Sequence, residues 1–432
     1  MCYALAPAIS IFFRFRFAGL PMNAAQSQAF PRNRARGLWI ASCLFLGLMP
    51  LGMAIAHRSA ALFVVLSALL ALGALSVEGT LSEFFRDVKR MFVSPPGLAI
   101  LLFLLWALLS LSWTYSLRVS LFTFGELILS AAAGVIVAVA LPRRMPRWVA
   151  GFAACCVIAA ALLIFADIQS GLRIRQMLGV RAYAFIFNRS VLTMFLIMVP
   201  LTFLLWRRNE LKFRIAGIAG AALTVAIIFL SDSGAAALAV VGFIPVYIVA
   251  RLLPRAAIWI GGACFAAILI AAPVYGTIFD EMLPARIADI FRGDHASERI
   301  SLWLSFQHAI QAEPVLGGGF GVSPVIASTS VVDKVPLQYR EMLAIGHPHN
   351  AAMQVWVELG AVGAVLAFIA LVAMLRSVAR LPSEQAAEQL AWIAAVALVA
   401  LVGHGAWQGW WIAAIGAGMA WFRAERIKAD SE

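Results

Sequence analysis

The chain is dominated by apolar runs that follow one another with short polar breaks. Each run is long enough, or nearly so, for a helix to cross the roughly 30 Å of hydrocarbon in a bilayer. The runs lie near 38–56, 60–77, 96–114, 119–141, 148–168, 185–206, 214–231, 234–250, 256–275, 351–375, 389–406 and 408–422. The sequence therefore predicts an all-α polytopic integral membrane protein with about 12 transmembrane helices.

Composition excludes a soluble domain, because 63% of the residues are hydrophobic, only 12% are charged and the mean hydropathy is +0.92. A net charge of +12 could indicate nucleic acid as a partner. The charges are confined to short loops, however, where they serve membrane orientation, so no nucleic-acid partner is expected. None of the five cysteines lies in the long polar segment, so no disulfide framework or cysteine-based metal site is predicted there.

Basic residues are distributed unevenly between alternate loops. With the N-terminus inside, 22 Lys and Arg residues fall on the cytoplasmic side and 10 on the other, and Arg189 within the sixth run completes the 33. An excess of Lys and Arg marks the cytoplasmic side. Both termini are therefore predicted to be cytoplasmic, and the long 276–350 segment periplasmic.

The predicted organisation has five parts. Residues 1–37 form a basic cytoplasmic tail, 38–275 carry transmembrane helices 1–9, 276–350 form the periplasmic loop, 351–422 carry helices 10–12, and 423–432 form a second cytoplasmic tail. The loop is far longer than the other connections, and long loops in compact proteins are functional or disordered. Its apolar periodicity favours an ordered loop.

A group of arginines breaks the charge rule on the outer side. Arg173, Arg175, Arg181 and Arg189 follow one another with no acid between Gln169 and Arg189. Two interpretations remain open: an interfacial segment whose arginines contact lipid phosphates, or a site for an anionic ligand. Arg189 is the strongest candidate of the four, because an arginine inside a transmembrane segment is a functional hypothesis by default.

A helix is predicted from Ser297 to about Ala312, where Pro314 would stop it. On this helix Arg299 shares the apolar stripe of Trp303, Phe306 and Ile310. An arginine in that position needs an anionic partner. The partner could be a loop carboxylate such as Asp289 or Asp294, or a ligand.

His349-Asn350 stands at the outer end of the tenth run. Asn350 is a good N-cap, which would place His349 at a helix N-terminus that attracts anions. Gln354 and Glu358 share one face of that helix, and Gly360-x-x-Gly363 would give a smooth face for close helix contact. A zinc site is not expected, because His347 and His349 lack carboxylate or Cys partners at ligand spacing.

These motifs resemble those of the bacterial O-antigen ligases and their polymerase relatives. The resemblance rests on His349-Asn350 followed by Gly360-x-x-Gly363, on Arg299-x-x-x-Trp303, and on Pro314-Val-Leu-Gly-Gly-Gly-Phe-Gly321. It implies a metal-independent glycosyltransferase of the bacterial inner membrane with no cofactor. The implied donor is a glycan on undecaprenyl diphosphate, and the implied acceptor is a sugar hydroxyl of lipid A–core.

The resemblance also implies roles for individual residues. His349 would be catalytic, as general base or as a phosphate ligand. Arg181, Arg189 and Arg299 would hold the diphosphate, and Asn350, Glu358, Gly360 and Gly363 would support the site. Three functions remain open: the ligase, a related transferase (an O-antigen polymerase or a protein O-oligosaccharyltransferase), and a non-enzyme such as a transporter of lipid-linked glycans.

Overall fold

The computed structural model describes residues 24–208, 210–282, 296–403 and 405–429. Within these ranges the chain forms helices and 3₁₀ turns and contains no strand. The helices are α1 (Ala24–Ile55), α2 (Ala60–Glu78), α3 (Leu81–Val93), α4 (Pro95–Leu109), α5 (Leu117–Ala140), α6 (Arg147–Gln169), α7 (Arg173–Met177), α8 (Phe187–Trp206), α9 (Leu211–Leu230), α10 (Gly234–Leu252), α11 (Pro254–Ala271), α12 (Tyr275–Met282), α13 (Ala296–Ala312), α14 (Ala351–Val378), α15 (Ser383–Val402) and α16 (Gly409–Ala429). The all-α fold class is confirmed.

Within the described ranges, 11 helical segments are long and apolar enough to cross a membrane. They overlap the first eleven apolar runs of the sequence. The ninth extends further than predicted, because α11 and α12 continue through a 3₁₀ turn and the segment reaches Glu281. The first is also longer and begins at Asn33, inside the predicted tail, and α1 itself begins at Ala24. The rest of that tail, residues 1–23, lies outside the described residues, as do residues 430–432.

The twelfth predicted run forms α16, which is not among those 11 segments. It nevertheless runs parallel to α8 along its length. At one end Arg189 lies over the Trp410 ring, 5.7 Å from its centroid, and at the other Arg207 is paired with Glu425. We call the end that carries Arg189 the site end of the bundle.

Small residues allow the central helices to approach closely. The backbones of Gly134 in α5 and Gly416 in α16 are so near that a Cβ added to Gly416 would lie 2.6 Å from the Gly134 Cα. The largest hydrophobic core joins α1, α2, α5, α6, α8 and α16. Alanine and glycine at helix contacts are typical of membrane bundles, where van der Waals packing replaces the hydrophobic effect.

A second core lies under the long loop at the site end. The helix predicted from 297 to 312 is α13, and its Trp303, Phe306 and Ile310 are buried as the stripe predicts. They pack with α11, α14 and the short 3₁₀ turns of 323–345. The described part of the loop is therefore ordered, with its own apolar contacts to the bundle.

Candidate functional site

The central feature of the site is a break in α14. Gly360 has φ +64° and ψ −163°, a conformation that only glycine adopts readily. The break leaves the carbonyl groups before it and the amide groups after it without partners inside the helix. Unpaired backbone groups are costly at membrane depth, so another segment must supply the hydrogen bonds.

The segment from Pro314 to Gly321, which we call the glycine loop, fills this break. Gly318 and Gly319 donate their backbone N–H groups to the carbonyls of Val357 and Glu358, each at 2.9 Å. In the opposite direction, the Ala361 N–H donates to the Pro314 carbonyl at 2.9 Å. The glycine loop therefore joins the long loop to the transmembrane bundle through main-chain hydrogen bonds.

This arrangement corrects the role predicted for the two glycines. Gly360 gives no smooth helical face; a Cβ there would lie 2.2 Å from the Val315 carbonyl oxygen. A Cβ on Gly363 would lie 2.3 Å from the Leu359 Cβ, just across the break. The spacing of the pair serves the break and its filling, and does not provide a surface for a neighbouring helix.

Glu358 is the polar centre beneath the glycine loop, and its side chain is fully buried. Its carboxylate accepts from the backbone N–H of Gly321 at 2.7 Å, the Ser323 hydroxyl at 2.5 Å, the Trp407 indole N–H at 2.6 Å and the Gln354 amide at 3.0 Å. Gln354 in turn accepts from the Ala406 N–H at 2.8 Å. The predicted shared face of Gln354 and Glu358 is confirmed, and it ties α14 to the loop and to Ala406 and Trp407.

His349 immediately precedes the residue that caps the N-terminus of α14. Asn350 caps the helix as predicted, since its side chain accepts from the Met353 N–H at 3.1 Å. His349 itself has φ +50°, a left-handed conformation unusual for a residue with a side chain. The surrounding contacts hold the ring against α15, with Nδ1 2.6 Å from the Gly403 carbonyl oxygen.

Arg299 meets the same helix end. Its Nη1 donates to the Val402 carbonyl oxygen at 2.8 Å, next to the carbonyl that His349 contacts. Burial lowers the pKa of His349, the hydrogen bond to Gly403 opposes this, and the charge of Arg299 lowers it further. The hypothesis of a salt bridge from Arg299 to Asp289 or Asp294 lies outside the described residues.

A second histidine lies against the first. The His347 and His349 rings are 4.1 Å apart and edge to face. Burial, the neighbouring His349 and the charge of Arg189 lower the pKa of His347 to about 4. Arg189 therefore lies close enough to act on His347 electrostatically, although it is more than 150 residues away in the chain.

Arg189 also belongs to a group of arginines around His57, which lies in the α1–α2 turn. The pKa of His57 is lowered to about 4 by burial and by the charges of Arg189, Arg58, Arg175 and Arg181. Arg181 and Arg189 thus both lie near His57, and their role as diphosphate ligands stays a prediction. The sequence analysis missed His57 and Arg58, because an isolated His-Arg pair in a short turn resembles an ordinary interfacial loop.

Arg175 has a structural role and corrects part of the prediction for the arginine group. It is buried beside Asp167, with Nε 3.4 Å from a carboxylate oxygen. Its Nη2 donates to the Ala54 carbonyl at 2.8 Å, and its guanidinium lies 4.3 Å from the centre of the Phe187 ring. Arg175 is thus paired within the protein, and its partner Asp167 lies just before the stretch in which the sequence shows no acid.

No group of three or more His, Cys, Asp or Glu that could hold a metal ion occurs in the described part of the chain. The charged groups near the two histidines are cations: Arg299 lies beside His349 at the end of α15, and Arg189 lies near His347, with Arg58 and Arg181 around His57. Such a set suits an anion with several oxygens and a proton transfer near it.

No curated protein matches the chain. A family model described as O-Antigen ligase matches residues 219–368. The matched stretch includes Arg299, the glycine loop, His349 and the break at Gly360, which are the elements that build the site. The match over this stretch supports membership of the O-antigen ligase family.

Proposed function

We propose that the protein is an O-antigen ligase of the bacterial inner membrane. It transfers a glycan from undecaprenyl diphosphate to a sugar hydroxyl of lipid A–core at the periplasmic face, without metal or cofactor. The observation that carries the proposal is the position of His349. Its Nδ1 contacts the Gly403 carbonyl oxygen, and Arg299 donates a hydrogen bond to the neighbouring carbonyl of Val402.

The contact with Gly403 selects the tautomer of His349. A carbonyl oxygen only accepts hydrogen bonds, so Nδ1 must carry the proton. In the neutral ring Nε2 then has a free lone pair. Burial and the charge of Arg299 both lower the pKa of His349 and so favour the neutral ring. Nε2 is therefore suited to accept the proton of an acceptor hydroxyl.

The reaction needs a partner for the leaving group as well as a base. As the acceptor oxygen bonds to the anomeric carbon, the bond from that carbon to the diphosphate oxygen breaks and the diphosphate gains negative charge. Arg299, Arg189 and Arg181 would stabilise that charge through charge-assisted hydrogen bonds. Asn350, Glu358, Gly360 and Gly363 would act indirectly, by holding His349 and the glycine loop in place.

Two experiments test this function. Deleting the gene should leave lipopolysaccharide with core alone, together with accumulated lipid-linked polymer. Core carrying a single repeat would identify a polymerase, and a normal ladder would exclude both. If a glycoprotein loses its glycan while lipopolysaccharide is unchanged, the protein is an O-oligosaccharyltransferase.

The second experiment uses purified protein with lipid-linked donor and lipid A–core. His349→Ala should abolish transfer, whereas His347→Ala should be milder. His308→Ala provides a matched control, because His308 stacks on Tyr339 in the same loop. Wild-type rates from His349→Ala would refute the catalytic assignment. Loss of activity in EDTA with recovery on adding Zn²⁺ or Mg²⁺ would refute the metal-free mechanism.

A further inference from the structure

An apolar groove runs along the bundle between α10, α11, α14 and α15. Its volume is about 400 Å³, and its walls are almost entirely hydrocarbon, with small residues such as Gly261 and Ala397 giving it width. The groove reaches Leu390 on α15 toward the opposite end and Leu401 toward the site end. That span corresponds to about 16 Å of helix, roughly half of the hydrocarbon thickness.

The groove ends next to the reacting groups. Leu401, its last residue on α15, precedes Val402 and Gly403, whose carbonyls contact Arg299 and His349. A molecule lying in the groove can therefore place an anionic head on Arg299 without leaving the protein surface. An apolar channel with a cation at one end is complementary to a lipid phosphate.

We propose that this groove holds the polyisoprenyl chain of the lipid-linked donor. The inference rests on the proposed function and adds a binding subsite to it. In the donor, the carbon that is attacked is bonded to the diphosphate, and the diphosphate is bonded directly to the hydrocarbon chain. The hydrocarbon chain must therefore start close to His349 and Arg299, and one end of the groove lies there.

The acceptor fits the groove less well. Its reacting hydroxyl lies on a sugar separated from the acyl chains by the rest of the core, so those chains need not begin near His349. A second groove, between α8, α9 and α10, also has apolar walls but is smaller, at about 180 Å³. Its nearest residue on α8 is Phe195, about 9 Å of helix from Arg189. This second groove serves as the control.

The native cysteines allow a test that needs no substitution. Cys264 lines the groove and is exposed, while Cys155 is exposed on α6 and lies outside it. The wild-type protein in nanodiscs is alkylated with a membrane-permeant maleimide, and each thiol is followed by peptide mass spectrometry. Undecaprenyl diphosphate should slow the labelling of Cys264 several-fold and leave that of Cys155 unchanged.

Three results would overturn the proposal: no protection of Cys264, equal protection of both cysteines, or equal protection of Cys264 by added phosphatidylglycerol. The last result would identify a groove for any membrane lipid. This assay measures binding alone. If the wild-type protein transferred no glycan at all, the proposed function would fail while the result for Cys264 still stood.

Kinetics give an independent reading. Ala397→Trp fills the groove and should raise the KM for the undecaprenyl-linked donor about tenfold. Displacing roughly two methylene groups from an apolar site weakens binding by about that factor. The kcat should be retained. A donor with a prenyl chain too short to reach Ala397 should show no change. Val225→Trp, in the second groove, should leave both constants unaltered. An equal effect of Ala397→Trp on both donors, or an equal effect of Val225→Trp, would contradict the proposal.

Discussion

Gly360 lies directly against Val315: a Cβ built on Gly360 would be 2.2 Å from the Val315 carbonyl oxygen. This contact joins the two parts of the molecule that carry His349 and Arg299. Helix α14 carries Glu358 and follows directly on His349 and its cap. The glycine loop anchors the long segment that contains α13 and Arg299. The break at Gly360 lets the two interlock through backbone hydrogen bonds, which hold their geometry better than side-chain contacts alone.

Gly360→Ala should therefore destabilise the protein severely, by at least about 3 kcal/mol, because alanine adds both an unfavourable φ and a clash with backbone. The measurement is thermal unfolding of the purified protein in detergent. Gly125→Ala is the matched control, since nothing lies within 4 Å of a Cβ on that helical glycine. Equal stability of the two variants would show that the break does not depend on glycine.

Glu358→Gln tests the polar centre under the loop. Glutamine keeps the size of the side chain but replaces one acceptor oxygen with a donor, so at least one of the four donors around Glu358 loses its partner. The expected cost is about 1–3 kcal/mol, with faster proteolysis of the 313–350 segment. Ser323→Ala removes one donor and should be milder. Proteolysis rates that match wild type would mean that the backbone hydrogen bonds of the glycine loop suffice to hold the 313–350 segment.

The two-sided arrangement of the bundle predicts its labelling. Ser328 lies in the long loop at the site end and Ser383 at the start of α15, and both are exposed. Since the basic residues favour the cytoplasm for the latter, Ser328→Cys in intact spheroplasts should react with an impermeant maleimide and Ser383→Cys should not. Labelling of Ser383→Cys alone would invert the proposed orientation and move the site to the cytoplasm.

The sequence was most informative about the helices and least informative about how they meet. Apolar runs predict spans because the bilayer fixes their length, and Asn350 predicts a cap because its role is local. The break at Gly360 was misinterpreted, because Gly-x-x-Gly in an apolar run has the same pattern whether it packs helices or interrupts one. Its meaning depends on the glycine loop, more than 40 residues earlier, and that partner is set by tertiary structure.

The arginines show the same limit. From the sequence, Arg175 and Arg189 both belong to one basic group, and nothing local gives Arg175 a partner. The structure separates them, because Asp167 neutralises the first while the second lies near His347. Likewise His57 and Arg58 come to the site only through the packing of the α1–α2 turn on α7 and α8, which no local pattern predicts.

Arg189→Lys and Arg299→Lys should each reduce transfer about one hundredfold while the protein remains folded and inserted. Lysine keeps the charge but loses the planar fork that grips phosphate oxygens. Arg173→Lys is the control, because Arg173 is exposed at the start of α7. Initial rates with saturating acceptor provide the measurement. Unaltered rates in both site variants would leave these arginines as lipid anchors or structural cations.

The pH profile of transfer should distinguish the two roles open to His349. A general base must be neutral, and burial together with Arg299 lowers the pKa of this histidine. Its proton is therefore lost at a pH below the reference value of about 6.5. The kcat/KM should be flat around neutral pH and fall only in more acidic solution, where the imidazole becomes protonated. His347 lies against the same ring, so the apparent value belongs to the pair.

Removing the charge of Arg299 should move this acid limb in a defined direction. In Arg299→Gln the positive field is absent, so protonation of His349 becomes easier and the fall in kcat/KM shifts to higher pH. Arg340→Gln is a matched control, since Arg340 binds the carbonyls of Val335 and Asp333 within the loop. Its acid limb should coincide with wild type. The opposite profile, in which activity rises as the pH falls, would mean that His349 acts as an imidazolium that binds phosphate, and the general-base role would be abandoned.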